Sequence, residues 1–270
     1  MSKFCRLLFD FKIQAYDTHQ MTQNTPICDG GEAVRRIGIW LCLLALAVCY
    51  GTVFAGADDM PQMDKTIYLT FDDGPSIYTP RLLKTLARYD AKATFFLVDT
   101  PQCTEEMLQA MVAAGHSLGV HSLSHDFKTI YSGEDAFWED LYAMQNVIRE
   151  KSGITTTLMR FPGGSSNTVS CRSCRGIMSR LVEAVTEAGF CYFDWNVDSG
   201  DAAGCRDTEQ LFQNVISGIQ GREQAVVLLH DVYSCSVQAV ERILIWGKNH
   251  GYQFRALTPQ SENCHHEVQN

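Results

Sequence analysis

The sequence has no surplus of positive charge: 22 Lys and Arg stand against 31 Asp and Glu, a formal net charge of −9. That excludes a protein whose main task is gripping nucleic acid phosphates, which requires a basic surface to neutralise them. There is no internal repeat, and the 20 Gly and 7 Pro follow no period, which removes collagen-like and low-complexity architectures. Apolar residues are not scarce either: 46% hydrophobic and 10% aromatic exclude a disordered chain. A second Cys-x-x-Cys is missing, so Cys171-Arg-Ser-Cys174 is at most half of a zinc site. What remains in 270 residues is an acidic globular unit of one large or two small domains, with ample material for a core.

Only one long hydrophobic run is present, Ile37 to Ala55, 19 residues without a charge. As a helix it spans roughly 28 Å, about the thickness of a bilayer's hydrocarbon core. Arg35 and Arg36 precede it and Asp58 and Asp59 follow, so the positive flank keeps the N-terminus in the cytoplasm and sends the rest outside. Ala55-Gly56-Ala57 has the small-x-small pattern of a signal-peptidase site. Residues 1–36 thus read as a cytoplasmic tail or a long signal n-region, and 37–57 as a signal anchor or a cleaved signal peptide; a start at Met21 shortens the leader. Export is the common consequence. Beyond residue 57 the chain holds 17 basic and 27 acidic residues, so an anionic polymer would be held by local contacts and not by bulk charge. Seven cysteines remain there, Cys103, Cys171, Cys174, Cys191, Cys205, Cys235 and Cys264; an odd count leaves one thiol unpaired, the others forming disulfides or staying inert.

Strand-like and helix-like segments then alternate. Strands are predicted at Thr66–Phe71, Ala93–Val98, Ser117–Val120, Leu158–Phe161, Cys191–Val197, Ala225–Leu229 and Tyr252–Leu257. Helices are predicted near Thr79–Tyr89, Thr104–Ala114, Asp135–Lys151, Gly176–Ala188, Thr208–Ile219 and Val237–Lys248. This alternation implies parallel pairing with helices outside, close to a closed α/β barrel, whose chemistry belongs where strands end.

Five motifs stand there. Asp72 and Asp73 follow the first strand in Thr-Phe-Asp-Asp-Gly-Pro; alone, they read as a turn. His121-Ser-Leu-Ser-His125 places two imidazoles four apart, on one face if the segment is a helical turn, close enough to share a metal ion. One carboxylate and two imidazoles leave an open position for water, as catalytic zinc requires. Arg160-Phe-Pro162-Gly163-Gly164 offers glycines that admit a substrate closely and an Arg that can clamp a carboxylate. Asp194-Trp195-Asn-Val-Asp198-Ser-Gly-Asp201 carries three acids in eight residues, and Leu228-Leu-His230-Asp231 puts a histidine at the tip of an apolar strand.

In this order the motifs resemble the polysaccharide deacetylase family with the NodB-homology domain, carbohydrate esterase family four. The resemblance runs from about Thr66 to Leu257, and the catalytic domain is placed at 62–260. It implies an α/β fold, a distorted (β/α) barrel of about seven strands. It also implies a divalent metal, zinc first with cobalt able to substitute, and hydrolysis of acetyl groups on sugar polymers. Carried over, it makes Asp73, His121 and His125 the metal ligands, Asp72 the general base, Arg160 its orienting group and His230 the general acid. Asp198 or Asp201 is then the carboxylate that keeps His230 protonated. Pro162, Gly163, Gly164, Trp195 and Leu228 line the substrate, with the N–H of Gly163 facing the oxyanion. Two departures put the pocket shape in doubt. Gly163 stands where the family often has an aromatic, and Ala202 where it usually has Trp, for which Trp195 is the substitute on offer.

The expected substrate is an N-acetylglucosamine-containing wall polymer, peptidoglycan first. An O-acetyl esterase of xylan type and a non-catalytic sugar-binding protein are the alternatives. No nucleic acid and no obligate protein partner is implied; the membrane is a partner only if Ile37–Ala55 is uncleaved. Residues 261–270 read as a polar tail, with His265 and His266 in a frayed terminus.

Overall fold

The computed structural model describes residues 65–270. The Ile37–Ala55 run and the boundaries at 36, 57 and 62 lie outside the described residues. Among the described residues, no helix is long and apolar enough to cross a membrane.

Strands and helices alternate along the chain: β1 (Thr66–Asp72), α1 (Thr79–Arg88), β2 (Ala93–Val98), α2 (Glu105–Ala113), β3 (Ser117–Ser122), α3 (Phe127–Ile130), α4 (Glu134–Ser152), β4 (Leu158–Met159), α5 (Ile177–Glu187), β5 (Cys191–Tyr192), β6 (Val197–Asp198), α6 (Thr208–Ile219), β7 (Gln224–His230), α7 (Ser234–Asn249) and β8 (Gln253–Phe254). Two helix starts follow from side-chain capping: Thr104 accepts from the Met107 N–H ahead of α2, and Asp207 accepts from the N–H groups of Glu209 and Gln210 ahead of α6. Each helix buries one stripe, as in α4 with Phe137, Leu141, Met144 and Ile148.

All strand pairs are parallel, in the order β5-β4-β3-β2-β1-β7-β6, with β8 beside the start of β1. The sheet curls into a distorted (β/α) barrel with helices outside, as the alternation predicts. The pleat divides its side chains. Ile67, Leu69 and Phe71 of β1, Phe95 and Leu97 of β2, and Ala225, Val227 and Leu229 of β7 join the helix stripes in the large outer core. The alternate positions turn inward, where Phe96, Leu158, Phe193, Val226 and Leu257 form a second, smaller core. Thr70, Asp72, Leu228 and His230 share that inward phase, and β1 pairs with β7 so that Asp72 stands opposite His230.

The expected strand Cys191–Val197 is split. Its first part, β5, pairs with β4 at one edge of the sheet; its last part, β6, pairs with β7 at the other. In between, Phe193 N–H still bonds to Met159 and Asn196 N–H to Val226. The segment therefore leaves one edge and lands on the other, closing the barrel with a single crossing of chain. All seven cysteines in the described residues are free thiols, so the disulfide reading does not hold there.

Candidate active site

β1 delivers Asp72, 3% exposed, at its inward tip. Asp73 follows with φ 68°, a left-handed conformation that turns its carboxylate back over the barrel mouth. Gly74 is sterically obligatory: a Cβ there would lie 2.1 Å from Asp231 Oδ1. Asp231 is fully buried and accepts from Thr79 Oγ1, tying the turn to the first residue of α1; burial pushes its pKa up to about 7.

The two histidines do not share a helical turn, as the spacing suggested. His121 is a strand residue of β3, and His125 lies beyond it with φ 51°. Asp140 of α4 shapes the link: it accepts from Leu123 N–H, Ser124 N–H and the hydroxyls of Ser122 and Ser124, while Ser122 Oγ accepts from His125 N–H. A tight loop thus brings together what a helix would have. Sequence reasoning missed Asp140, because nothing local on a long amphipathic helix marks it.

His121 Nε2 and His125 Nε2 lie 3.4 and 3.1 Å from Asp73 Oδ1. The three residues form a group whose donor atoms all lie within 4.8 Å of one another. His121 Nδ1–H donates to the Arg160 carbonyl at 2.8 Å, which fixes the tautomer and leaves the Nε2 lone pair facing Asp73. Asp73 Oδ1 is buried yet accepts no well-aligned hydrogen bond. Lone pairs converging on an unsatisfied carboxylate oxygen are what a divalent cation would relieve, so these residues fit one. Burial alone would raise the Asp73 pKa, but His121, His125 and His230 around it hold it well below the usual carboxylate range. Burial depresses that of His125; for His121 the neighbouring Asp72 and Asp73 outweigh burial and raise it.

Arg160 is the largest fully buried side chain among the described residues. Its Nη1 donates to Asp72 Oδ1 at 2.9 Å and to Thr70 Oγ1 at 2.7 Å; Nε and Nη2 donate to the carbonyls of Phe193 and Asp194. The guanidinium also stacks on Phe96, 4.3 Å from the ring centre. With Oδ1 held by Arg160, Asp72 keeps Oδ2 for the site, 3.8 Å from His121 Nε2.

His230 completes the mouth. Its Nδ1–H donates to Asp201 Oδ1 at 2.8 Å, and its Nε2 faces Asp73 Oδ2 at 3.8 Å. Asp201 is fully buried and also accepts from His230 N–H and Ser236 Oγ. Burial favours neutral His230, but Asp201, Asp72 and Asp73 outweigh it and lift the pKa to about 9. Asp198, the other carboxylate considered, does not reach His230: it is exposed and its Oδ1 accepts from Gly200 N–H. Leu228, 4% exposed, lies beneath His230 on the inner face.

In the Arg160–Gly164 loop, Pro162 is buried and its carbonyl accepts from Tyr131 Oη. Gly163 is exposed with φ 76°, and a Cβ there would sit 3.0 Å from Phe127. Gly164, φ 78°, packs against Trp195. Trp195 does not stand beside His230, where a Trp at position 202 is expected to pack: its contacts are Gly164, Arg160 and His266. The aromatic near His230 is Tyr233, with ring centres 6.0 Å apart, and the Arg206 guanidinium stacks on the Tyr233 ring at 3.9 Å. Ala202 is exposed.

The terminus is not frayed, because it satisfies buried groups. Asp194 accepts from Ser165 N–H, Ser165 Oγ and His266 N–H, and its own N–H donates to the Cys264 carbonyl. His265 Nε2 and His266 Nε2 bond to the carbonyls of Tyr192 and Trp195, and Asn270 bonds to Gly176, Ser179 and Ser170. The tail therefore straps the crossing segment whose carbonyls hold Arg160. Deleting residues 264–270 is expected to lower Tm by about 5–10 °C, since orphaned buried groups cost about 1–3 kcal/mol each; scanning calorimetry showing an unchanged Tm would refute the strap.

A family model described as Polysaccharide deacetylase matches residues 59–177. A peptidoglycan-N-acetylglucosamine deacetylase of Bacillus cereus is 36% identical over 207 residues, covering 73% of this chain and 71% of that protein. Among solved structures, the catalytic domain of a peptidoglycan N-acetylglucosamine deacetylase from Eubacterium rectale is 48% identical with TM-score 0.75, over 80% of this chain and 99% of that one. A polysaccharide deacetylase from Bacillus cereus is 35% identical with TM-score 0.64, over 73% and 94%.

Proposed function

This chain belongs to the polysaccharide deacetylase family, and from that premise we propose that it hydrolyses the N-acetyl groups of an N-acetylglucosamine-containing wall glycan, peptidoglycan above all. Its relatives named as peptidoglycan N-acetylglucosamine deacetylases support this substrate. The observation that carries the chemistry is the register of β1 and β7, which sets Asp72 opposite His230, with His230 Nε2 3.8 Å from Asp73 Oδ2 and Asp72 Oδ2 3.8 Å from His121 Nε2. An extracytoplasmic location, with residues 1–57 as anchor or cleaved leader and 62–260 as the catalytic domain, suits a wall substrate.

Asp73, His121 and His125 would hold a divalent cation, zinc first and cobalt as a substitute. When bound, such an ion supplies Lewis acidity toward an acetyl carbonyl and a lowered pKa for water. The protein's own groups divide the proton work. Asp72, with Oδ1 pinned by Arg160, takes the proton from the water attacking the acetyl carbon. The C–N bond then breaks, and His230 Nε2–H gives its proton to the departing nitrogen, because an amide does not leave well as an anion. Asp201 holds His230 charged for that step. The N–H of Gly163, at the exposed turn, is the donor offered to the oxyanion.

Acetate release tests the reading: N-acetylglucosamine oligomers and peptidoglycan fragments should be deacetylated in preference to O-acetylated xylan oligomers. Release from the O-acetylated sugar alone would make the protein an esterase, and release from none would make it a sugar-binding protein. His230→Ala is expected to lose far more activity on N-acetylated sugar than on an aryl acetate, whose leaving group is stable as an anion. Equal losses on both substrates would return His230 to a structural role.

A further inference from the structure

Beside the catalytic centre lies a concavity of about 440 Å³, lined by Asp126, Phe127, Lys128, Val169, Arg172 and Ser173. It adjoins the centre directly. The Phe127 ring packs edge-on against His125, with ring centres 5.4 Å apart, and closes on the exposed turn at Gly163. Its floor is apolar, with Val169 46% exposed, and its rim carries two cations.

Among the described residues, neither of those cations is neutralised by a paired carboxylate. Arg88, Lys151, Arg180 and Arg242 are each paired with a carboxylate, whereas among the described residues Lys128 and Arg172 form no ion pair. The single acid of the cavity, Asp126, is already engaged: it accepts from Lys128 N–H and from Thr129 Oγ1 as the cap of α3. One uncompensated positive charge therefore remains on a chain that is acidic overall.

We propose that this concavity is a subsite for a carboxylate-bearing substituent of the glycan, on the sugar next to the one being deacetylated. The proposal rests on the deacetylase reading and specifies its substrate: an acidic, peptide-substituted polymer in preference to a neutral one. Phe127 and Val169 supply the apolar face against which a sugar or short peptide branch packs, and Lys128 and Arg172 receive its carboxylate.

The test compares peptidoglycan fragments bearing free carboxylates with the same fragments after amidation, on the unmodified protein and on the Lys128→Gln/Arg172→Gln double variant. For the unmodified protein, kcat/KM should favour the free acid by about tenfold, carried by KM, because exposed ion pairs are individually modest. The preference should shrink in high salt and vanish in the double variant. Calorimetric Kd values for the two fragments should show the same ratio without turnover. Equal handling of acid and amide by the unmodified protein, or a preference that survives in the double variant, overturns the subsite. Failure of the deacetylase reading shows separately, as no acetate released while the Kd ratio still decides the subsite.

Discussion

Asp72→Asn is expected to bind metal as the unmodified protein does while losing about 10²–10⁴ in kcat, roughly 3–5 kcal/mol of barrier. The substitution keeps shape, and the Asn carbonyl oxygen can still accept the Arg160 Nη1–H that now bonds to Asp72 Oδ1 at 2.9 Å. What it removes is the capacity to take a proton. Among the described residues the group that could hold a cation is Asp73, His121 and His125, without Asp72, so metal content measured by elemental analysis should not change. Losses on N-acetylated sugar and on aryl acetate should be comparable, because water must be deprotonated in both reactions; this separates Asp72 from His230. Turnover within a few-fold of the unmodified protein would remove Asp72 as the base.

Dialysis against a strong chelator should abolish acetate release, and zinc or cobalt should restore it. His125→Ala should lower metal occupancy, since it removes one of the two imidazoles facing Asp73 Oδ1. Alanine at Cys171 or Cys174 should leave occupancy intact: Cys171 is exposed, Cys174 accepts a hydrogen bond from Arg180, and neither belongs to a metal-ligand group among the described residues. Metal lost from the cysteine variants but kept in His125→Ala would place the ion at the cysteines and overturn the assignment to Asp73, His121 and His125. Turnover that resists the chelator would argue for metal-free chemistry.

The alternation of segments and the five motifs were legible because both are local patterns. A strand such as Ala93–Val98 and a helix such as Thr208–Ile219 declare themselves by period and cap, and the structure places both at the same bounds. The residue types needed for hydrolysis could be read in the same way, since Asp, His and Arg at successive strand ends have few structural reasons to recur. The sequence did not show which of two nearby acids serves His230. Asp198 and Asp201 are three residues apart, and only the turn after β6 sends one into the barrel and leaves the other in solvent.

The sequence by itself thus determined the strand–helix alternation, the placing of Asp72 and His230 at strand ends, and the chemical types available at the mouth. Each depends on spacing along a few residues, which backbone geometry converts directly into direction. Tertiary structure alone decided how those groups are held. Asp140 shapes the histidine loop from a helix, Arg160 reaches Asp72 across the barrel, and the terminal residues strap the segment that closes it. These contacts join positions distant in sequence, as far as 88 residues apart for Arg160 and Asp72. No local period encodes them; they arise because buried polar groups must find partners wherever the fold brings one within reach.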